Sequence, residues 1–292
     1  MKKISLFSVV VALLTFGMFS CSQTSKKAEE KQTLTFGFAP GPYSDLFKTA
    51  IQPELEAKGY TIKIVELTDW VTPNIALANN EIDANIFQHT RYLKKFAADK
   101  GFDLSPVISI PTASLGLYSH TLKATNISEL KTELAAEKTG TALALPNDPT
   151  NLARALIFLQ NLGLITLKEG VEPTQATEKD IAQNPFKLKI QPIDAAQLPR
   201  ALDGTALAVI SGNYAISAGI KLSTAIANEH LVPETENIVA VRTADLDKQW
   251  VADVKEIIQS EQFRNVVENP QYDYASFQRP QWYVEKWGIQ NK

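Results

Sequence analysis

The residues most able to do chemistry gather in the stretch 141–162, TALALPNDPTNLARALIFLQNL. The apolar run at 141–145 predicts a buried strand, and Pro146 ends it by removing a backbone donor. Asp148 then stands at an N-cap position and Pro149 at the first helical position, a pairing that suits a helix start. Leu152, Ala155, Leu156, Leu159 and Leu162 fall on one stripe and predict the core face of that helix. Asn151, Arg154 and Phe158 fall on another face. The helix start therefore collects free N–H groups, the amides of Asn147 and Asn151 and the Arg154 guanidinium at the end of a strand. Such an arrangement suits a carboxylate or a phosphate.

A second constellation is aromatic. The segment NIFQHTRY at 85–92 ends one strand and begins a helix, which places Phe87, His89 and Tyr92 at the strand's carboxyl end, with Trp70 expected nearby. Singly, each of these rings suits a core. Together, facing the Arg and Asn cluster, they predict a cleft with one apolar and one polar wall. It fits a small amphipathic molecule with a carboxylate at one end and an apolar side chain at the other.

Other chemistries find little support. The three histidines, His89, His120 and His230, are far apart and lack metal-ligand spacing. No P-loop, GxGxxG or GxSxG is present, and Ser211-Gly212 after a strand lacks the first glycine of a nucleophile elbow. The expectation is a binding protein without enzyme activity, cofactor or metal.

The elements that must position these residues follow an α/β rhythm. Strands are predicted at 34–38, 61–67 and 82–87, with helices at 44–58, 73–79 and 92–100 and an extended stretch at 107–118. After a helix at 128–137 with Ser128 as its cap, the pattern restarts. Strands are expected at 141–145, 188–193 and 206–210, with helices at 150–162 and 197–202. The strand-like 237–242 and the amphipathic 246–259 then return to the first unit. This predicts two lobes, each a mostly parallel sheet flanked by helices, joined by two crossing segments with the ligand between them. Lobe I is assigned 33–120 and 237–292, and lobe II 121–236.

The chain has 292 residues, 45% of them hydrophobic, and a formal net charge of −3, so nothing in it is a nucleic-acid footprint. Its start is not part of the globular body. Lys2 and Lys3 precede an uncharged run that ends after Ser20, the pattern of a secretory signal over 1–20. Cys21 follows as the single cysteine, so no intrachain disulfide forms and the pattern predicts lipidation of Cys21. Polar residues 22–32 then form a tether, giving an envelope protein held to a membrane through acyl chains.

The segments DANIFQHTRYLKKF, LALPNDPTNLARALIFLQNLGLITLKEG, QLPRAL, AVISGNYAISAGI and ENIVAVR, in this order, resemble the NlpA/MetQ family of methionine-binding lipoproteins. The resemblance covers nearly the whole chain after the leader. It implies a type II periplasmic-binding-protein-like fold, an L-methionine ligand, and delivery to an ABC permease and ATPase. It also implies that Arg154 pairs with the ligand carboxylate, that Asn151 and Asn237 bond its polar end, and that Trp70, Phe87, His89 and Tyr92 enclose the thioether. Ser211 stands where many members carry an Asn that meets the ligand backbone, and Asn213, two residues on in a segment read as extended, is expected to take over that role. Trp70 replaces a frequent Tyr, and Arg91 a frequent Pro. The ligand is thus left open to a methionine-containing dipeptide or another small amino acid, and the protein to a surface or scaffolding role without transport.

Overall fold

Apolar strands of 33–38 and 84–89 can be buried only if helices cover both faces of the sheet they join. The computed structural model describes residues 32–291; the expected signal peptide, Cys21 and the tether up to residue 31 lie outside them. In chain order the first lobe opens with β1 (Thr33–Phe38), α1 (Tyr43–Ala50), α2 (Gln52–Ala57), β2 (Thr61–Glu66), α3 (Thr72–Ala78), β3 (Ala84–His89), α4 (Thr90–Lys100) and β4 (Leu104–Ser109). The second lobe contains β5 (Gly116–Tyr118), α5 (Ile127–Ala136), β6 (Ala142–Pro146) and α6 (Pro149–Asn161). The short pair β7 (Thr166–Leu167) and β8 (Ile181–Gln183) follows, then β9 (Lys189–Ile193), α7 (Leu198–Ala201), β10 (Leu207–Ile210), α8 (Gly212–Ser217) and β11 (Ala227–Asn228). The chain returns through β12 (Asn237–Arg242), α9 (Gln249–Ile258), α10 (Glu261–Val267) and α11 (Gln281–Trp287).

Each lobe carries one five-stranded sheet, in the order β2-β1-β3-β12-β4 and β11-β5-β10-β6-β9. Both are mixed, with four strands running one way and one reversed, as the expectation of mostly parallel sheets requires. In the first, β12 runs antiparallel to β3 and β4; in the second, β5 runs antiparallel to β10 and β11. The reason is topological. A strand that arrives from the other lobe enters without a covering crossover helix, so nothing obliges it to run parallel. Because β5 belongs to the second sheet, that sheet begins at Gly116, ahead of the change of lobe expected at 121.

In the first lobe Leu34, Phe36 and Phe38 are fully buried. Phe47 of α1 packs on Phe36 at a ring-centroid distance of 4.4 Å, and Trp250 of α9 meets Phe36 edge-on at 6.4 Å. Lys58 and Tyr60 bond Asp253, so α9 is tied to the start of β2 as well as packed on the sheet. In the second lobe Leu143, Leu145, Leu152, Leu156, Leu159, Leu207 and Val209 form the corresponding core.

The two crossing segments are bonded to each other. Ile110 N–H donates to the Asn237 carbonyl at 2.7 Å, Asn237 N–H to Thr112 Oγ1 at 2.8 Å, and Glu229 N–H to the Leu115 carbonyl at 2.9 Å. Gln278 pins both. It pairs with Thr112 through the backbone, and its side chain accepts from Leu231 N–H and donates to the Glu229 carbonyl.

Two local expectations are revised. The helix expected at 44–58 is broken at Ile51, with Pro53 in the first turn of the second piece. The helix at 127–136 is capped by Asn126, whose side chain accepts from Ser128 N–H and Glu129 N–H, two residues earlier than the Ser128 cap expected.

Candidate functional site

The carboxyl ends of β3, β6 and β10 point to the gap between the lobes, as open α/β sheets present their ligands. From the first lobe come Trp70 before α3, Phe87 and His89 at the end of β3, Tyr92 in the first turn of α4 and Asn237 opening β12. From the second come Asn151 and Arg154 of α6, together with Ser211 and Asn213 at the start of α8. These nine residues, with Gln88, Ala113 and Leu115, line one cavity of about 30 Å³. Asn147, expected beside Asn151, stays exposed and is not on this wall. Asn213 lies in a helical turn and not in the extended segment expected for it.

A hydrogen-bonded chain crosses the gap. His89 caps α4, its Nδ1 accepting from Tyr92 N–H at 3.1 Å. That bond leaves the proton on Nε2, which donates to Asn151 Oδ1 at 3.0 Å. Asn151 Nδ2 donates in turn to Asp148, which caps α6 by accepting from Asn151 N–H at 3.0 Å. Burial pushes His89 down to about 3, and the positive Arg154 nearby acts in the same direction, so this imidazole is neutral at physiological pH. Asn151 is thus bonded at both ends of its amide.

Arg154 is buried, and Glu229 faces it. The guanidinium Nε donates to both Glu229 oxygens at 2.8 and 3.0 Å, and Nη2 donates to Oε2. Leu115 N–H supports the same carboxylate at 3.4 Å. Glu229 was not among the expected site residues. It lies 75 positions from Arg154 and comes to it only through the second crossing segment, so no spacing signals the pair. Arg154 Nη1 has no hydrogen-bond partner among the described residues.

The other amides also spend their donors on the protein. Asn237 Nδ2 bonds the Phe87 carbonyl at 3.1 Å, and Asn213 Nδ2 the Pro40 carbonyl at 3.2 Å. Each keeps an Oδ1 with no partner among the described residues. Gln88 belongs to a closed network with Asn74 and Asn85, buried beneath the end of β3. On the apolar side, Trp70, Phe87 and His89 each meet Tyr92 edge-on at 6.2–6.4 Å, and Tyr214 of α8 stacks on Trp70 at 4.7 Å. Tyr214, also missed from sequence, does not line the cavity but joins the second lobe to the first through this stack. No group of three or more His, Cys, Asp or Glu among the described residues stands where it could hold a metal. No helix among them is long and apolar enough to cross a membrane.

Two lobes closing on a mixed apolar and polar cavity define a binding protein of the type II periplasmic-binding-protein-like class. The chain belongs to the NlpA lipoprotein family, whose model matches residues 34–282. It is similar to the probable D-methionine-binding lipoprotein MetQ of Vibrio cholerae, with 35% identity over 88% of this chain and 91% of that one. It is also similar to outer membrane lipoprotein 3 of Mannheimia haemolytica, with 33% identity over 90% and 94%. Among solved structures, a nutrient binding protein from Burkholderia cenocepacia bound to methionine matches with a TM-score of 0.73 and 36% identity. That match covers 81% of this chain and 95% of the other.

Proposed function

We propose that this protein is a lipid-anchored receptor that captures methionine, or a closely related small amino acid, between its lobes and delivers it to an ABC importer. The observation that carries the reading is the cavity itself, in which Arg154 faces Trp70, Phe87, His89 and Tyr92 across the gap. The unbonded edge of Arg154 receives the ligand carboxylate. The Oδ1 atoms of Asn213 and Asn237 are acceptors suited to its ammonium, and the rings enclose its side chain. A hydrogen bond to a charged group contributes about 1.5–3 kcal/mol, and sulfur against a ring about 0.3–1.5 kcal/mol. Several of each reach the roughly −8 kcal/mol of micromolar binding. The names of the relatives and the methionine in the Burkholderia structure support the same ligand class.

Calorimetric titration of unfolded and refolded protein, freed of carried-over ligand, tests this against L- and D-methionine, the other amino acids and methionine-containing dipeptides. No heat from any of them would end the proposal. Lipidation of Cys21 is part of it: Cys21→Ser should move the protein from the membrane to the soluble fraction. A second reading, a surface lipoprotein without transport, is favoured by Ser211 and by the similarity to an outer membrane lipoprotein. Uptake of labelled methionine in cells with and without the gene separates the two.

A further inference from the structure

Gln278 does not line the cavity, yet its side chain is spent on the segment that holds Arg154 in place. Its Oε1 accepts from Leu231 N–H at 2.8 Å and its Nε2 donates to the Glu229 carbonyl, the one orientation of the amide that satisfies both groups. Its backbone exchanges two hydrogen bonds with Thr112, each of 2.9 Å. A single residue thus meets both crossing segments. The base beneath it is rigid. Arg279 is buried, forks onto Glu268 through two bonds of 3.0 Å and donates to the Tyr274 carbonyl at 3.1 Å. Trp282 Nε1 donates to the Ser109 carbonyl at 2.8 Å, just ahead of the first crossing segment.

Glu229 is the residue this arrangement fixes. Its N–H donates to the Leu115 carbonyl at 2.9 Å and its carbonyl accepts from Gln278, so its backbone is held on both sides. Its carboxylate, left with only side-chain rotamers to vary, accepts from Arg154 Nε at 2.8 and 3.0 Å. We infer that Gln278 is a positioning residue for ligand capture: through the Glu229 carbonyl it aims the carboxylate that sets the plane of the Arg154 guanidinium. This rests on the receptor reading above, in which Arg154 receives the ligand carboxylate, and adds to it a residue that acts from the hinge. Without the Gln278 donor the Glu229 carbonyl loses its bond, the 229–231 backbone is free to shift, and the guanidinium turns with the carboxylate it follows.

The test uses the full-length protein in detergent, titrated with L-methionine and with L-methioninol, which keeps the ammonium and the side chain but lacks the carboxylate. Gln278→Met removes both amide bonds, and Gln278→Glu keeps an acceptor for Leu231 N–H while losing the donor. Each should weaken L-methionine by about fivefold to tenfold and L-methioninol by less than about twofold. In the ligand-free protein the Arg154 Nε–H signal in heteronuclear NMR, identified by its absence in Arg154→Lys, should shift in both variants. That arm needs no ligand, so it decides even where L-methioninol gives no heat. An equal loss for both ligands, full L-methionine affinity in Gln278→Glu, or an unmoved Arg154 signal overturns this inference while leaving the receptor reading intact. Silence of the parent protein toward L-methionine overturns the receptor reading for that ligand and this inference with it.

Discussion

Arg154 and Glu229 form a side-on ion pair with both side chains buried, so the positive charge offered to the cavity arrives already balanced. A zwitterion entering beside it changes the net charge of the site by nothing, and Glu229 fixes the plane of the fork. Breaking a buried pair by removing one partner typically costs about 3–5 kcal/mol, because the other charge is stranded. Arg154→Ala should therefore lower stability in urea by that order, besides abolishing binding. Replacing both residues by apolar ones of similar volume should recover most of the stability and none of the binding. A single variant as stable as the parent would show that the pair does not exist in solution.

His89 predicts an acid response. Its ordinary value is 6.5 and its buried value about 3, so between these the unfolded chain holds a proton that the folded one does not. Stability is complete above 6.5 and is lost as the pH falls toward 3, at about 1.4 kcal/mol per pH unit. From pH 6.5 to pH 5 the loss from this residue should be about 2 kcal/mol. His89→Gln keeps a donor and an acceptor without titrating. As the pH falls from 6.5 toward 3 the urea midpoint of the parent should drop relative to that of the variant, and parallel curves would remove His89 from the account.

Gly41 sits where the lobes meet. Its φ is +147°, and a Cβ there would lie 2.7 Å from Asn213 Cβ across the gap. Gly41→Ala should act as a wedge, weakening ligand affinity by about tenfold, or 1.4 kcal/mol. The radius of gyration at saturating ligand, measured by X-ray scattering, should stay nearer that of the open form. An unchanged affinity and radius would mean that the lobes close elsewhere.

The amides of Asn74, Asn85 and Gln88 satisfy one another beneath the cavity floor. Gln88→Leu conserves volume but leaves the Asn74 and Asn85 groups unpaired, at about 1–3 kcal/mol each. Thermal unfolding should show the loss, and hydrogen exchange at the end of β3 should quicken. Neither effect is expected for a substitution at exposed Asn147, which serves as the control.

What local pattern can encode was legible in the chain. Apolar runs placed the strands, Asp148-Pro149 placed the start of α6, and strand ends followed by helix starts picked out Trp70, Phe87, His89, Tyr92, Asn151 and Arg154, to which the family resemblance added Ser211, Asn213 and Asn237; all nine line one cavity. These signals survive because burial, capping and backbone restriction act over a few residues. Where two local signals compete, as with Asn126 and Ser128 for one cap, the side chain reaching more free N–H groups takes the position.

The tertiary structure alone decided the rest. Strand direction in the two sheets depended on how the chain crosses between lobes, which no period-two pattern records. Glu229 beside Arg154, His89 bonded to Asn151 and Tyr214 stacked on Trp70 join residues 62 to 144 positions apart. Side-chain partners at such distances are chosen by packing, and their choice determines which donors and acceptors remain for a ligand. Residue types named the wall of the cavity, while the fold settled which of its polar atoms are free.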